Sequence, residues 1–458
     1  MGIESGSNIL KFPAGFKWGS AVSAYQVEGN RDGSRDTDWD RHVKAHPEII
    51  RAGEVGPDWW TVGRAEDDLG LIADLGLNTF RLSIEQDRII LEPGVVDQEA
   101  IFRYRQILKR LKSLNIEPVI TLNHFTLPAY LAEAGGWANP ETKQAFVDFV
   151  RTVVQEFSDV KYWLTLNEPN NLIAMGYIFG KWPPNIKKSW LSLLLPHNLV
   201  RSVARNLIEA HEEAAETIWK NIPDAKVGVA NNIQWLKPKN PRSPFDLFLV
   251  RFANWYFNFR FIEATNATTD FLGINFYTGY NLKFRPALNW KQDDNGSVAS
   301  APLCSPSHQA LFTSDTGWPI VPDFFSAALL ELYQRFNKPI FVSENGLADR
   351  DDELRSFYIL THLAALHEAI QRGVDVWGYL HWAAVDNQEW TDGYKYRYGL
   401  IAVDPRTGER TVRNSARMYA EIAGANEIDV NRLADRYLTD EEQQVTALAI
   451  IENLQKAR

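Results

Sequence analysis

Two glutamates lie where apolar, β-prone runs of this sequence become polar. Glu168 closes the run YWLTLNE at residues 162–168, and Glu344 lies in the run PIFVSENG at residues 339–346. Two carboxyl groups support glycoside hydrolysis when one donates a proton to the leaving oxygen while its ionised partner attacks the sugar or activates water. Paired carboxylates also hold magnesium or a dinuclear metal centre. The pair alone leaves both chemistries open.

The surroundings of the two glutamates narrow that choice. Asn167 and Pro169 flank Glu168, so this stretch could also be a plain polar turn, because proline cannot donate to a sheet ladder. Other strand ends offer amide, guanidinium and aromatic groups rather than more carboxylates and histidines, which makes a metal centre the weaker interpretation. An Arg81 close to Glu344 would keep that glutamate ionised, which suits a nucleophile and opposes a bound cation. We expect neither a metal nor a cofactor.

Eight short apolar runs alternate with helix-like segments along the chain. Between the fourth and fifth runs, residues 198–220 carry apolar side chains on one face at helical spacing, and residues 354–373 repeat the pattern and end at Gly373, a plausible C-cap. Eight strands that alternate with helices predict a (β/α)8 TIM barrel in one domain, residues 1–425. The runs are residues 16–26, 79–84, 117–124, 162–168, 226–233, 271–277, 339–346 and 376–383.

Polar and aromatic residues at the ends of these runs form the candidate site. The active site of such a barrel lies where its strands end, so a polar residue there has a stronger claim to function than one elsewhere. Glu168 on the fourth strand and Glu344 on the seventh would face each other across the barrel mouth. The candidates are Gln26, Arg81, His124, Asn167, Glu168, Asn275, Tyr277, Glu344, Asn345, His381 and Trp382.

Two segments do not fit the alternating pattern. Residues 281–315 contain several prolines and an Asn-Gly pair, which indicates a long loop that is either a functional lid or a disordered insertion. Residues 426–458 form a predicted helical C-terminal extension, in which Thr439 and Glu442 would make a capping box. That extension could cap the barrel or form a dimer contact. Its predicted apolar positions include Val445, Leu448 and Ile451.

Composition excludes several classes of partner. The chain has 458 residues with a net charge of −10 that is spread along its length, and no basic patch alternates with aromatic residues. We therefore expect no nucleic-acid partner and no membrane partner. Cys304 is the one cysteine, and the sequence contains neither a secretion-signal pattern nor an apolar run of transmembrane length, so we expect a cytoplasmic protein. The 16 tryptophans suit a protein that stacks sugars on indole rings, and a homo-oligomer is possible.

Four motifs resemble glycoside hydrolase family 1, which contains β-glucosidases, β-galactosidases and β-mannosidases. The resemblance covers about residues 10–425, and the motifs occur in the family's order at predicted strands or just beyond them. They are FPAGFKWGSAVSAYQVEG at 12–29, LNEP at 166–169, VSENG at 342–346 and WAAVDNQEW at 382–390.

This resemblance implies roles for the residues around the two glutamates. Glu344 would attack the anomeric carbon and form a covalent glycosyl-enzyme, while Glu168 would protonate the leaving oxygen and later activate water. Such a double displacement retains the β configuration and predicts carboxyl groups about 5 Å apart. Asn167 would bind the 2-hydroxyl group, and Arg81 and Tyr277 would hold Glu344 ionised and oriented.

The resemblance also implies a pocket for the terminal sugar. Gln26, His124 and Glu389 would bind hydroxyl groups, Trp382 would form the stacking floor, and Trp390 would form a further wall. Glu389 and Trp390 resemble members that take unphosphorylated sugars. Tyr398 and Lys395 weakly resemble the set that binds a phosphosugar, but we give them little weight because Glu389 is present and Tyr396 stands where that set has a lysine. The predicted substrate-binding residues are Gln26, His124, Asn275, Trp382, Glu389 and Trp390.

Some positions depart from the family pattern. Gln86 replaces a usual tryptophan, Ala383 and Ala384 replace Ser-Leu, and Gln388 replaces Phe or Tyr. These changes spare both glutamates and leave the aglycone preference open. We predict a retaining, exo-acting β-glycosidase, most similar to a β-glucosidase, that hydrolyses a small-molecule β-glycoside or oligosaccharide with an unphosphorylated terminal sugar through a covalent glycosyl-enzyme. A transglycosylase and a catalytically inactive sugar-binding protein are the alternatives, and the retention of both glutamates favours an enzyme.

Overall fold

Eight parallel strands form a closed barrel in a computed structural model that describes residues 9–29, 36–187, 199–284, 304–307 and 311–456. Neighbours in the barrel are neighbours in the sequence, and the eighth strand pairs with the first. This architecture confirms the predicted (β/α)8 fold. The barrel strands are β1 Lys17–Ala21, β2 Thr79–Ser83, β3 Glu117–Asn123, β4 Tyr162–Asn167, β5 Lys226–Asn232, β6 Phe271–Asn275, β7 Ile340–Asn345 and β8 Val376–Trp382.

The barrel strands are enclosed on both faces, which explains their nearly continuous apolar sequences. Every residue of β2, β4, β6 and β7 is buried, including the polar residues at their carboxyl ends. A polar side chain held in such a place needs a partner, so the polar strand ends must bond to one another or to a ligand.

Helices surround the barrel and confirm the two helical patterns read from the sequence. The helix after β4 buries Val203, Leu207 and Ala214 on one face. The helix before β8 ends close to Gly373, whose φ of 94° is the left-handed conformation that glycine adopts without strain. The α-helices in the described ranges are α1 Ala24–Glu28, α2 Asp38–Ala45, α3 Arg64–Asp74, α4 Gln86–Ile89, α5 Gln98–Ser113, α6 Ala129–Glu133, α7 Pro140–Glu156, α8 Pro169–Leu172, α9 Leu199–Asn221, α10 Pro244–Ala253, α11 Arg260–Thr265, α12 Pro322–Phe336, α13 Arg355–Gln371, α14 Asn414–Ala425, α15 Val430–Tyr437 and α16 Glu441–Lys456. Short 3₁₀ helices cover Gly136–Ala138, Asn266–Thr268 and Trp390–Asp392, and π-helical turns cover Ile173–Ile178 and Asn254–Phe259.

Short sheets lie outside the barrel and correct one prediction. Gly279–Phe284 pairs with Cys304–Ser307 and with Trp235–Pro238, so the prediction of a continuous loop from 281 to 315 is wrong at both of these strands. The intervening residues 285–303, and residues 308–310, lie outside the described ranges. The other pairs are Ile9–Lys11 with Glu427–Asp429, Ile90–Glu92 with Val95–Val96, and Ile401–Val403 with Arg410–Val412.

The C-terminal helices pack against the barrel's helical layer, with α16 against α13. The predicted capping box of Thr439 and Glu442 is wrong, because α16 begins at Glu441 and the side chain of Asp440 accepts the Gln443 N–H at 3.0 Å. The predicted apolar face is also partly wrong. Val445 is 62% exposed and Leu448 is 37% exposed, whereas Ala447, Ile451 and Leu454 are buried in the main core. A division of the chain at residue 425 stays a prediction.

None of the helices in the described ranges is both long and apolar enough to cross a bilayer.

Candidate active site

The carboxyl end of β4 turns sharply at Glu168. This residue has φ 44° and ψ 54°, a left-handed conformation that costs a non-glycine residue about 1–2 kcal/mol. Its N–H donates to the Ala230 carbonyl of β5 at 2.7 Å, and Pro169 starts α8 at the first helical position, where proline loses no hydrogen bond. The Asn-Glu-Pro stretch is therefore a turn, and that turn places the Glu168 side chain at the barrel mouth.

Glu344 on β7 is held by a cation and a phenol. Arg81 Nη1 donates to Glu344 Oε1 at 2.6 Å, and the Tyr277 hydroxyl donates to Oε2 at 2.5 Å. The Arg81 side chain is fully buried and is itself fixed by Thr121 Oγ1 at 2.9 Å and the Ser343 carbonyl at 3.2 Å. Both oxygens of the carboxylate therefore have defined partners, as a precisely oriented nucleophile requires.

The hydrogen-bond partners of Glu168 among the described residues are all neutral amides. Asn275 Nδ2 donates to Glu168 Oε1 at 2.9 Å, while Asn171 Nδ2 and Asn232 Nδ2 each donate to Oε2 at 3.0 Å. Asn275 is also the register partner of Glu344 between β6 and β7, so this residue lies beside both acids. The two glutamates thus converge at one site with different partners.

These surroundings act differently on the two carboxyl groups. Burial first, and the negative charge of Glu344 second, raise the pKa of Glu168 to about 7. Burial also raises the pKa of Glu344, but Arg81 and Tyr277 act against that rise. Of the two glutamates, only Glu344 is bonded to the Arg81 guanidinium. Glu344 therefore loses its proton first, and Glu168 keeps a proton near neutral pH. One acid is set up to donate a proton and the other to act as an anion.

Asn167 connects this pair to His124 and fixes the tautomer of the imidazole. Its Oδ1 accepts from Arg81 Nη2 at 2.7 Å and from Asn275 Nδ2 at 3.1 Å, so its Nδ2 faces His124 Nε2 at 3.0 Å. Burial lowers the pKa of His124 well below its usual value, and the neutral ring must accept at Nε2. Its proton therefore lies on Nδ1.

Three buried polar atoms in the same part of the site have no hydrogen-bond partner among the described residues. They are Gln26 Oε1, His124 Nδ1 and one oxygen of Glu389, Oε1. Gln26 is fixed because its Nε2 donates to Asn387 Oδ1 at 2.9 Å and to the Gln388 carbonyl at 2.6 Å. Burial raises the pKa of Glu389 well above its usual range. Unsatisfied buried groups are costly, so this cluster of donor and acceptors indicates a ligand with hydroxyl groups.

Aromatic rings border these polar atoms. The rings of Trp382 and Trp390 lie nearly parallel to the His124 ring, with centroids 5.9 and 6.0 Å away. Trp390 is supported from behind by Tyr25, which stacks on it at 5.7 Å, and by Trp39 at 4.6 Å. Flat, rigid indole surfaces beside hydroxyl partners suit a sugar ring.

The structure brings the predicted catalytic and substrate-binding residues together at the carboxyl end of the barrel, with one correction of position. Gln26 does not end a strand, because β1 stops at Ala21 and Gln26 lies on α1. Asn345, a further strand-end candidate, bonds to Phe276, Tyr358 and Tyr379 instead. The sequence analysis missed Asn171 and Asn232. Asn232 ends β5, so the strand-end rule could have found it, whereas Asn171 lies on α8 and carries no such signal.

Comparison with known proteins identifies the relatives of this barrel. The family model for glycosyl hydrolase family 1 matches residues 9–265 and 256–428. Beta-glucosidase A of Thermotoga maritima is 29% identical over 469 aligned residues, which cover 92% of this chain and all of the relative. The structure of a β-glycosidase from Pyrococcus horikoshii superposes with a TM-score of 0.82 at 31% identity, covering 95% of this chain and 99% of that one.

A further relative carries a different activity in its name. The chloroplastic galactolipid galactosyltransferase SFR2 of Arabidopsis thaliana is 31% identical across 85% of this chain and 63% of its own length. The match to the family model extends over most of the chain. The chain belongs to glycosyl hydrolase family 1 and is a glycoside hydrolase of the retaining type.

Proposed function

We propose that Glu344 is the nucleophile and Glu168 the acid/base of an exo-acting β-glycosidase that removes a terminal, unphosphorylated β-linked sugar from a small-molecule β-glycoside or oligosaccharide. The observation that carries this assignment is the contrast between the two carboxyl groups. Glu344 contacts the Arg81 guanidinium, whereas the hydrogen-bond partners of Glu168 in the described ranges are all neutral amides. The hydrolytic mechanism needs that division between an anion and a proton donor.

In the first step, a Glu344 oxygen bonds to the anomeric carbon while the bond from that carbon to the leaving oxygen breaks. Glu168 gives its proton to the leaving oxygen, so the aglycone departs as a neutral alcohol. In the second step, ionised Glu168 takes a proton from water, and the resulting oxygen nucleophile displaces Glu344 from the sugar. Two inversions at the same carbon return the β configuration.

The amide and imidazole network supports charge development on the sugar. Asn167 Nδ2 lies between His124 and the catalytic pair, where a hydrogen bond to the 2-hydroxyl group can strengthen in the transition state. Arg81 and Tyr277 keep Glu344 in position throughout. Preorganised groups of this kind need little rearrangement as charge develops.

The partnerless atoms of Gln26, His124 and Glu389 support the sugar end of the proposal. His124 Nδ1 is a donor, Gln26 Oε1 is an acceptor and the Glu389 carboxyl group can act as either, which matches hydroxyl groups, since each hydroxyl both donates and accepts. Glucose is the glycone we favour, because the Thermotoga maritima relative is named a β-glucosidase. A 6-phosphate is disfavoured, because Lys395 is exposed and donates to Tyr396 at 2.9 Å.

Transfer to an alcohol is a second candidate outcome of the same intermediate. The Arabidopsis relative named as a galactosyltransferase favours testing it. The partition between water and an added acceptor alcohol, measured from the products, separates hydrolysis from transglycosylation. We expect hydrolysis to dominate without an added acceptor.

The test of this proposal is hydrolysis of 4-nitrophenyl β-glycosides. The panel contains the glucoside, galactoside, fucoside, mannoside and glucoside 6-phosphate. We expect turnover of at least one unphosphorylated member, with loss of essentially all turnover in Glu344→Gln. Substantial hydrolysis by Glu344→Gln would overturn the assignment of the nucleophile, and preference for the phosphorylated member would overturn the glycone assignment.

A cytoplasmic location and a homo-oligomeric state complete the proposal. The single cysteine fits a reducing compartment. Cell fractionation and light scattering test these two points.

A further inference from the structure

The two oxygens of the Glu168 carboxyl group differ in their hydrogen-bond donors. Asn171 Nδ2 and Asn232 Nδ2 both donate to Oε2 at 3.0 Å. Among the described residues, Oε1 accepts from Asn275 Nδ2 alone, at 2.9 Å. A carboxyl oxygen has two lone pairs, so the two donors occupy Oε2, whereas one lone pair of Oε1 stays free. The two oxygens are therefore not equivalent sites for a proton.

The backbone places both donors to Oε2. The N–H of Asn171 donates to the Glu168 carbonyl at 2.9 Å, so the first turn of α8 brings this side chain next to the carboxyl group. Asn232 ends β5, and its backbone carbonyl accepts from Asn170 Nδ2 at 2.8 Å. Neither placement depends on whether Glu168 is protonated. Both donors are therefore preorganised on Oε2.

A proton on Oε2 would compete with these donors. It would take one of the two lone pairs and displace an amide N–H from its hydrogen bond, which costs free energy. A proton on Oε1 displaces none of the three donors. The hydrogen bonds therefore favour Oε1 as the protonated oxygen of Glu168 and Oε2 as the oxygen that always accepts.

We propose that Asn171 is a positioning residue for the acid/base, which together with Asn232 holds Oε2 as a permanent acceptor, so that Oε1 carries the proton and delivers it to the leaving oxygen. This inference rests on the proposed function. In the first step the Oε1–H bond of Glu168 breaks as its proton passes to the leaving oxygen. In the second step Oε1 takes a proton from water. Asn171 acts through Glu168 and needs no contact with the substrate.

The surroundings of Glu168 determine how Asn171 affects its titration. Charged and titratable side chains that face Glu168 in the described ranges, directly or through Asn167, are Glu344 on β7, Tyr277 after β6, Arg81 on β2 and His124 after β3. From α8 and β5, the facing side chains are the carboxamides of Asn171 and Asn232. An N–H donor stabilises the carboxylate more than the neutral acid, so Asn171 lowers the pKa of Glu168, against the rise caused by burial and by Glu344.

The alkaline limb of the pH profile tests this role. Asn171→Leu removes the donor with little change in side-chain size. The apparent pKa on the alkaline side of kcat/KM for a 4-nitrophenyl β-glycoside should rise by about 1 pH unit, because the carboxylate loses a hydrogen bond. Asn221→Leu makes the same change at an exposed position of α9 and should leave the limb in place. An unchanged limb in Asn171→Leu, or an equal shift in Asn221→Leu, would overturn the proposal.

An isosteric variant separates this role from packing. Asn171→Asp keeps the shape of the side chain but replaces the donor by a carboxylate, so the alkaline limb should rise at least as far as in Asn171→Leu. If Asn171 only fills space, Asn171→Asp leaves the limb unchanged, and that result would contradict the proposal.

The leaving group provides a further readout. Asn171→Leu should lower kcat/KM for a methyl β-glycoside by roughly tenfold, part of the 10²–10⁴-fold that a positioned general acid contributes. Formation of the glycosyl-enzyme from a 2,4-dinitrophenyl glycoside should be nearly unaffected, because that leaving group needs no proton. Equal losses on both substrates would overturn the proposal.

Neutron diffraction of the wild-type protein locates the proton without any variant. In deuterated crystals at about pH 5, below the Glu168 pKa of about 7, a deuteron should lie on Oε1 and the amide deuterons of Asn171 and Asn232 should point at Oε2. A deuteron on Oε2 would overturn the proposal. Failure of the proposed function gives a different result, because the wild-type protein would then show no turnover that depends on Glu344.

Discussion

At the scale of single residues, the partners of each carboxyl group assign its role. Glu344 contacts Arg81 and Tyr277, whereas Glu168 contacts three carboxamides and has its pKa raised to about 7. The two glutamate side chains in this site therefore have different roles: Glu168 donates a proton and Glu344 acts as an anion.

The pH dependence of turnover follows from this contrast. We expect kcat/KM for an aryl β-glycoside to fall above about pH 7, because Glu168 then loses the proton it must donate. It should also fall at acid pH, because Glu344 becomes protonated and can no longer attack. The measurement is a pH profile of kcat/KM, and a profile that is flat on the alkaline side would contradict the role of Glu168.

The dependence on the leaving group separates the acid from the nucleophile. Glu168→Ala should lose turnover by about 10²–10⁴-fold on alkyl glycosides, since an alkoxide leaves poorly without a proton. On 2,4-dinitrophenyl glycosides the formation of the glycosyl-enzyme should be nearly unaffected, because that phenolate leaves unprotonated. Burst kinetics measure this step. Glu344→Gln is the control and should lose turnover of both kinds of substrate. Equal losses of turnover on alkyl and 2,4-dinitrophenyl glycosides in Glu168→Ala would refute the assignment.

Stability should also respond to the Glu168 proton. The unfolded side chain titrates near 4.5 and the folded one at about 7, so its protonated form favours folding at low pH and this contribution is lost as pH rises through 7. Glu168→Gln lacks this loss, and its stability relative to wild type should increase from pH 5 to pH 8 by up to about 3 kcal/mol. Urea unfolding at each pH measures the difference. Glu141→Gln at an exposed position of α7 is the control, and a pH-independent difference for Glu168→Gln would count against the raised pKa.

At the scale of helices and strands, apolar runs that end in polar residues predicted much of the fold and the site. The strands that carry Arg81, Asn167, Asn275 and Glu344 are visible in the sequence because both of their faces are buried. Gln26 was assigned to a strand because α1 is only five residues long and too short for a helical period to show. Short elements beside a strand cannot be separated from it by periodicity alone.

The C-terminal helix α16 shows why the buried face of a helix was predicted only partly correctly. Apolar residues at 445, 448 and 451 have helical spacing, yet the helix, which packs against α13, buries only Ile451 of these three, together with Ala447 and Leu454. The face of a helix that is buried depends on the element that packs against it. Gln443 is polar and Ala447 is small, so the sequence pattern does not mark these two positions as buried.

Two substitutions in α16 test this packing. Ile451→Ala removes a side chain that is 3% exposed in the main core and should destabilise the protein by about 2–5 kcal/mol. Val445→Ala, six residues earlier and 62% exposed, should change stability by less than about 0.5 kcal/mol. Denaturant unfolding of both variants gives the comparison. Equal effects would mean that α16 does not pack on the barrel through the face that contains Ile451.

At the scale of the whole molecule, closure of the barrel assembles the site from distant parts of the sequence. Arg81 and Glu344 are 263 positions apart, and Gln26 contacts Asn387 across 361 positions. Because the active site of such a barrel lies at the carboxyl ends of its strands, the sequence predicts that these residues lie at one end of the barrel. It does not predict which of them form hydrogen bonds with each other. The roles of Glu389 and Trp390 came from the resemblance to a family, since neither of them ends a predicted strand.

The features that sequence could not provide are those that depend on the three-dimensional arrangement of side chains. The contacts of Asn171 and Asn232 with Glu168 and the tautomer of His124 require coordinates. Each arises where segments from different parts of the chain come into contact, and local sequence propensity does not predict such contacts.

The most direct test of the account is identification of the covalent glycosyl-enzyme. A 2-deoxy-2-fluoro-β-glycoside with a good leaving group slows both steps but lets the first proceed faster than the second, so the intermediate accumulates. Intact mass spectrometry followed by peptide mapping should find one fluoroglycosyl group on Glu344 in the wild-type protein and none in Glu344→Gln. Labelling of any other residue, or undiminished labelling of Glu344→Gln, would contradict the central claim that Glu344 is the nucleophile.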